Sequence, residues 1–229
     1  MEIQTRKSKI PSQVEEIWQR IVNVISELIC VPSVMINRLN PPELEVFKAN
    51  ISPDNPFPSR TRMQMAGVYC ETTAKTRQRL QVNNARKDPE WAESPTAKAG
   101  ILAYLGVPLS WPDGKIFGTL CAVDTKENKW GAQYESLLLS FKDGVEAHLA
   151  LIHTMEVLER KNRALEQALG EVRTLRQLMP ICSSCKKIRD DKGYWNRMEE
   201  YLYKCADVSF SHGICPECAR MLYPGLKGL

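Results

Sequence analysis

A chain of 229 residues, 43% hydrophobic and 25% charged, has room for one ordinary domain, a linker and a small module. It holds no run of about 18 apolar residues, which argues against a helical membrane span. Its net charge of +4 is too mild to call for nucleic acid or an anionic membrane as a partner.

The chain opens with MEIQTRKSKIPSQ, which is basic but has no apolar stretch. It does not read as a secretory signal, so the expected location is cytoplasmic. Ser12 to Glu15 has the form of a capping box, with Ser12 as N-cap. Behind it Val14, Ile17, Trp18, Ile21, Val24, Ile25, Leu28 and Ile29 recur at helical spacing and predict a helix ending near Cys30. Two β-like runs follow, Val34 to Leu39 and Leu44 to Phe47, and Asn40-Pro41-Pro42 between them suits a hairpin. Ile51 to Ser59 carries three prolines and reads as a loop.

Tyr69-Cys70-Glu71-Thr72-Thr73 starts a short helix or turn, and Leu80 to Asn83 alternates like a strand. Asp88-Pro89-Glu90-Trp91 predicts another short helix, with Asp88 as N-cap and Pro89 at the first helical position. Ile101 to Ser110 is a strand. Trp111-Pro112-Asp113-Gly114 has type I turn chemistry, and Ile116 to Val123 returns as the paired strand. From Ala132 the pattern is helical, with Gly144 the expected place for a bend. The predicted fold class is α+β: an antiparallel sheet of five or six strands, the first and last helices on one face, loops and short helices on the other. Such a layout leaves a cavity between the sheet and its cover.

Tyr69-Cys70-Glu71, Asp88-Pro89-Glu90-Trp91, Tyr104 to Gly114 and Phe117-Gly118-Thr119-Leu120-Cys121-Ala122-Val123-Asp124 resemble the GAF domains of bacterial signalling proteins, over roughly residues 12 to 150. The resemblance implies a small-molecule sensing or dimerisation domain, usually without catalysis, that feeds a coiled-coil linker. It places the ligand pocket between the sheet and the middle segment, with Cys70, Glu71, Trp91 and Tyr104 as candidate ligand-binding residues. Cys70 reads first as a buried small hydrophobe, with a redox or ligand-contacting role as its alternative; Trp91 reads as a cover on the sheet before a stacking platform, and Cys121 as core. The Cys with Asp-Ile-Pro of chromophore-binding relatives is absent, as is the N-K-x-F-D-E pattern of cyclic-nucleotide binders. Some small GAF proteins reduce free methionine sulfoxide with several cysteines. Here Cys70 has no obvious resolving partner in the sequence, so a thiol reductase is the weaker alternative.

Leu151, Met155, Leu158, Asn162, Leu165, Leu169, Val172, Arg176 and Met179 follow at alternating spacings of four and three. This is a heptad seam, and its narrowness predicts pairing with a second copy, a homodimer through residues 145–179. Asn162 at an a position fixes register and favours a parallel pair, with Lys161 facing Glu166 of the partner helix. Arg176 and Gly170 weaken the last turns. The alternative is one amphipathic helix lying on the upstream domain. His148 and His153 lie on this helix outside any acid–base constellation. No Ser-His-Asp order, phosphate loop or H-E-x-x-H occurs, so no enzyme is expected.

Of the eight cysteines, Cys30, Cys70 and Cys121 are scattered, whereas Cys182, Cys185, Cys205, Cys215 and Cys218 crowd the end of the chain. Cys182-x-x-Cys185 and Cys215-x-x-Cys218 are separated by 29 residues. Two such short loops can offer four thiolates to one structural Zn²⁺. His212 and Cys205 stand as spare donors. Asp190 to Gly193 suits a hairpin turn, Trp195 to Cys205 has helical spacing, and a short helix runs from Cys215 to Tyr223. The order resembles the treble-clef zinc modules, and Leu178 to Pro224 is similar to a tail found on bacterial sensor and response-regulator proteins. A module of this size holds little core without a metal staple. Lys186, Lys187, Arg189, Lys192 and Arg197 cluster beside Tyr194 and Trp195. The cluster reads as a protein-docking surface before a nucleic-acid one.

The predicted layout is thus a sensor domain at 1–144, a signalling helix at 145–179 and a zinc module at 180–229. The expected protein is a sensor that relays through a dimeric coiled coil to a protein partner. A ligand-controlled nucleic-acid binder is the alternative.

Overall fold

The computed structural model describes residues 4–6, 8–176, 179–206 and 209–224, the side chains of 172–176 and 205–206 excepted. The chain divides into two compact units, 1–160 and 161–229. Helix α1, Ser12–Ile29, buries a stripe of Trp18, Ile21, Val22, Ile25 and Ile29, the amphipathic spacing that drives a surface helix onto a core. Its N-terminus departs from the expected capping box. Pro11 is the N-cap, and its carbonyl accepts the N–H groups of Val14 and Glu15, both at 3.0 Å. The Glu15 carboxylate turns instead to Lys48 at 2.9 Å and Arg60 at 3.0 Å. A residue with two cationic partners gains more from them than from a neutral N–H at a cap. At the other end Cys30 adopts a left-handed conformation and its N–H reaches Ser26 O, the usual helix stop.

Six strands follow in one sheet: β1 Ser33–Asn40, β2 Glu43–Ala49, β3 Arg62–Gln64, β4 Leu80–Val82, β5 Ala103–Ser110 and β6 Ile116–Asp124. Their spatial order is β3-β2-β1-β6-β5-β4, and every neighbouring pair is antiparallel. The two expected hairpins, β1–β2 and β5–β6, are present. In the second, Gly114 takes φ +79° and donates its N–H to Trp111 O at 2.9 Å. β3 was not signalled, because Arg62-Met63-Gln64 is too short and too polar to show alternation.

The helix expected at Asp88 is a single turn. Asp88 O accepts the N–H groups of Trp91 and Ala92, and the chain then bends. The Ser–Pro pair six residues on opens α3, Pro95–Lys98, with the Ser94 side chain accepting Ala97 N–H. Helix α2, Tyr69–Thr76, lies where a short helix was expected.

The sheet carries a separate core on each face. On one, α1 and the first part of α4, Ala132–Arg176, pack on Val34, Ile36, Phe47, Leu105, Val107, Leu120 and Ala122. Trp18 is the centre, with ring centroids 5.8 Å from Phe47 and 5.4 Å from Phe117. On the other face, α2, the turn at Trp91 and α3 cover Met35, Val46, Tyr104, Cys121 and Val123. This is the α+β sandwich the sequence pattern called for. Gly118 permits the close contact of β1 and β6, since a Cβ there would lie 1.6 Å from Asn37 O.

α4 runs through Gly144 without interruption. Leu138, Val145 and Leu149 around it are fully buried, and that packing outweighs the ~1 kcal/mol helix cost of glycine. His148 on this helix faces α1, where Trp18 Nε1 donates to its Nδ1 at 3.4 Å. His153 and Glu156 meet Arg6. No helix among the described residues is long and apolar enough to cross a membrane.

The second unit holds a small hairpin, β7 Ile188–Arg189 with β8 Trp195–Asn196, then α5 Met198–Ala206 and α6 Pro216–Leu222. Asp190 closes the hairpin by accepting the N–H groups of Lys192 and Tyr194. Leu178 and the side chains of Val172, Arg176 and Cys205 lie outside the described residues.

Candidate functional site

The site is built where α2 crosses the sheet. Strand alternation sends Asn37 of β1, Thr119 and Cys121 of β6 and Tyr104 of β5 to the same face. Register brings them together: Asn37 is opposite Thr119, Met35 opposite Cys121, and Gly106 opposite Cys121 from the other side. α2 lowers Tyr69, Cys70, Thr73 and Ala74 onto that face. Its first turn is held from outside by Glu71, which accepts Gly67 N–H at 2.7 Å and pairs with Lys75 at 2.7 Å.

A buried polar cluster results. Asn37 Nδ2 lies 3.4 Å from Cys70 Sγ, 3.3 Å from Cys121 Sγ and 3.3 Å from Thr119 Oγ1. Tyr104 donates its hydroxyl toward Cys70 Sγ at 3.6 Å and lies 3.0 Å from Thr73 Oγ1. Thr73 spends its own proton on Tyr69 O, so the phenol proton serves Thr73 and Cys70 between them. Gly106 makes this geometry available. A Cβ at that position would stand 2.1 Å from the Tyr104 oxygen.

The two thiols are inequivalent. The Cys121 S–H bonded to Cys70 holds the Cys70 thiol down to about 7, aided by Thr119, Tyr104 and Asn37 against the opposing effect of burial. The same bond, with burial, pushes Cys121 well above the ordinary cysteine range. Burial, then the sulfur charges, push the Tyr104 phenol up as well. The shifts run in opposite directions, and Cys70 is the readier of the two to ionise.

Beside the cluster is a mainly apolar cavity of about 40 Å³ lined by Cys70, Asn37, Tyr104, Thr96, Phe57 and Met63, among others. It holds a few water-sized molecules. Two polar atoms near it, Asn37 Oδ1 and Thr96 Oγ1, have no hydrogen-bond partner in the protein. Of the four residues read from the sequence, Cys70 and Tyr104 line the cavity. Trp91 stands one layer back, its ring edge-on to Tyr69 at 4.8 Å, and Tyr69 lies 5.0 Å from Tyr104. Glu71 is on the outer side of α2. Sequence reasoning left out Asn37, Thr119 and the pairing of Cys121 with Cys70. The alternation of Thr119, Cys121 and Val123 marked a common face, but nothing local said that Cys70 would sit on it.

In the second unit each cysteine pair forms its own turn. Cys182 O accepts Lys186 N–H at 3.1 Å, with Lys186 at φ +59°. Cys215 caps α6, its sulfur accepting Cys218 N–H at 3.5 Å. Backbone N–H donors, that of Cys185 first, hold the Cys182 thiol below its ordinary range, and the N–H of Cys218 does the same for Cys215. Among the described residues no three of His, Cys, Asp or Glu are gathered into a metal-holding group. Each pair by itself offers two thiolates on one short turn, the donor type a thiophilic metal takes. His212 lines the same concavity as Cys185, together with Lys186, Lys187, Arg197, Glu199 and Glu200. The carboxylates interrupt the basic cluster, which suits a protein surface better than a phosphate backbone.

A family model described as GAF domain matches residues 13–148. Among characterised proteins, diguanylate cyclase DgcP of Escherichia coli strain K12 is 30% identical over 76 residues, spanning 33% of this chain and 22% of that protein. The phycocyanobilin-bound GAF domain of a cyanobacterial phytochrome superposes with a TM-score of 0.53 at 14% identity, over 62% of this chain and 87% of that one. The blue-light absorbing form of the Thermosynechococcus elongatus PixJ GAF domain gives 0.52 at 15% identity, over 68% and 94%. At these identities the two structures show a shared fold.

Proposed function

The chain belongs to the GAF domain family, and on that premise we propose that it is a bacterial, cytoplasmic signal-transduction sensor for a small polar molecule. The observation that carries this reading is the cavity under α2. Asn37 Oδ1 and Thr96 Oγ1 are buried there without protein partners, each at a cost of about 1–3 kcal/mol unless a ligand or water satisfies it. Cys70 and Tyr104 complete the lining. The volume fits a molecule of a few heavy atoms. Pockets for larger ligands run to about 300–1,000 Å³, so a tetrapyrrole like that of the cyanobacterial neighbour would require α2 and the Phe57 loop to move away.

The relay in this proposal uses strands β1 and β6. Their pocket-facing residues touch the ligand, and their opposite faces carry α1 and α4. A ligand shifts the helices only if it binds one of their arrangements better than the other. Leu151, Met155, Leu158, Leu165 and Leu169 of α4 are half to two-thirds exposed. A parallel pairing with a second copy buries them. In this proposal the pairs Cys182–Cys185 and Cys215–Cys218, which form no three-donor group among the described residues, close on one structural zinc, and the module they form presents its surface to a protein partner.

Native mass spectrometry of the full chain under reducing conditions tests the reading. The expected species is a dimer with two zinc ions and an added small mass per chain. A metal-bearing dimer with no added mass under any mild condition leaves a docking scaffold instead of a sensor. A metal-free monomer overturns both the seam and the zinc assignments.

A second reading is favoured by one observation. Cys121 stands beside Cys70, which supplies the resolving partner that a thiol reductase centred on Cys70 would need. Turnover of a sulfoxide with a dithiol reductant, lost in Cys70→Ser, would establish it.

A further inference from the structure

We propose that Cys70 and Cys121 are a peroxide-reactive dithiol: Cys70 attacks a hydrogen peroxide molecule in the cavity, and Cys121 resolves the product to a disulfide between α2 and β6. The proposal deepens the sensor reading, on which its signalling consequence rests, and gives the ligand a chemical class.

Three features of the geometry lead to it. The sulfurs arrive from different elements, one on a helix and one on a strand, and both lie against Asn37 Nδ2, at 3.4 Å and 3.3 Å. A disulfide between them closes the sulfurs to about 2.05 Å and so draws α2 onto β6. The cavity is lined by Cys70 but not by Cys121, so a small reagent meets Cys70 first. That order assigns the roles without ambiguity. Finally, the cavity of about 40 Å³ admits a two-heavy-atom oxidant and excludes bulky alkyl hydroperoxides. Neither cysteine is exposed, so larger oxidants and alkylating reagents are kept away.

The chemistry balances with hydrogen peroxide as oxidant. The Cys70 thiolate attacks one peroxide oxygen. The S–O bond forms, the O–O bond breaks, and the departing hydroxide takes up a proton and leaves as water. Cys70 is then a sulfenic acid. The Cys121 sulfur attacks the Cys70 sulfur. The S–S bond forms, the S–O bond breaks, and the hydroxide leaves with the Cys121 proton as a second water. The peroxide gains two electrons and the two thiols lose one each. Asn37 Nδ2 and the Tyr104 hydroxyl face the reacting sulfurs throughout and orient them. The bond ties α2 to β6, whose other face carries the core shared with α1 and α4, so the oxidised form constrains the sheet from which the helices depart.

The test uses the full chain, reduced, desalted and treated with graded hydrogen peroxide. It is then acid-quenched, alkylated and digested for peptide mass mapping. The expected product is a Cys70–Cys121 linked peptide, lighter than the two reduced peptides by two hydrogens. It should form at doses that leave Cys30 alkylatable. In Cys121→Ser, a Cys70 sulfenic acid should accumulate and be trapped by dimedone; in Cys70→Ser, Cys121 should stay reduced. Cys70 and Cys121 both remaining alkylatable after the exposed Cys30 has been oxidised overturns the proposal, and this arm needs no variant to fold. Faster formation of the same disulfide with free methionine sulfoxide than with peroxide overturns the oxidant assignment. Disulfide formation that leaves the α4 seam unchanged by cross-linking supports the dithiol and counts against the relay. No disulfide, with a small mass retained in native spectra, counts against the dithiol and leaves the sensor standing.

Discussion

Gly106 and Gly144 are the same residue type in opposite situations. A Cβ on Gly106 would stand 2.1 Å from the Tyr104 oxygen and 2.4 Å from its ring, whereas one on Gly144 meets nothing within 4 Å. Gly106→Ala must push the phenol off Thr73 and Cys70, an overpacking that costs about 1–3 kcal/mol. Gly144→Ala removes a helix-weakening residue and should add up to about 1 kcal/mol. Denaturant unfolding of the two variants should therefore move in opposite directions; movement in the same direction would sink this account of the pocket. Cys70 gives a pH test at the same scale. Its folded value, about 7, lies below its ordinary value of 9.0. The ionised thiol therefore contributes stability that is fully present above about pH 9 and is lost as pH falls through 7. The unfolding free energy of the wild type, less that of Cys70→Ser, should rise between about pH 6 and 9. The thiolate absorbance missing from Cys70→Ser should titrate near 7. A midpoint above the ordinary value of 9.0 would mean that burial outweighs the bond from Cys121.

At the level of elements, α4 carries two apolar stripes. Leu138, Val145, Leu149 and Ile152 are buried against the sheet, while Leu151, Met155, Leu158, Leu165 and Leu169 face outward. The outward stripe predicts self-association that Leu158→Lys lowers at least tenfold by sedimentation equilibrium, with the first unit still folded. Asn162→Leu should tighten association and admit other strand numbers, since an a-position Asn trades stability for register. A monomeric wild type at all concentrations would dispose of the seam. Elements of this kind were legible because their signal is local. Periodicity gave α1 and α4, and alternation with Gly114 and the Pro41-Pro42 pair gave both hairpins. Competing local signals misled in two places. Asp88-Pro89 and Ser94-Pro95 are equivalent helix starts on paper; the first makes a single turn and the second opens the four-residue α3. Ser12 and Glu15 spell a capping box, but Lys48 and Arg60 from elsewhere in the chain claim Glu15. The pocket was half legible for the same reason. Cys70 and Tyr104 sit in recognisable stretches, whereas Asn37 meets Thr119 and Cys121 across 82 and 84 residues of sequence, a proximity that strand order alone creates.

The two units of the molecule differ in what holds them together. The first has an apolar core on each face of its sheet. In the second, Ile188 and Ala219 are the only buried apolar residues among those described, while Tyr194, Tyr203, Phe210, Ile214, Met221 and Leu222 are exposed. These two side chains, one of them an alanine, offset little of an ordering cost of about 1–2 kcal/mol for every residue fixed. A unit so poor in core is where the proposed zinc would count most, held by the paired cysteine turns. In zinc-finger peptides a structural zinc contributes about 10–16 kcal/mol, several times what the two buried side chains supply. A strong chelator should therefore abolish hydrogen-exchange protection in β7, β8, α5 and α6 and leave the sheet of the first unit protected. Cys182→Ser and Cys218→Ser should do the same without chelator, and Cys30→Ser, at an exposed cysteine, should not. If metal analysis finds no zinc and the tail keeps its protection in chelator, the staple is not a metal. The exposed aromatic surface would then have to be covered by another chain, and protection should depend on protein concentration. Because metal removal is independent of concentration and dissociation is not, one dilution series with and without chelator separates the two.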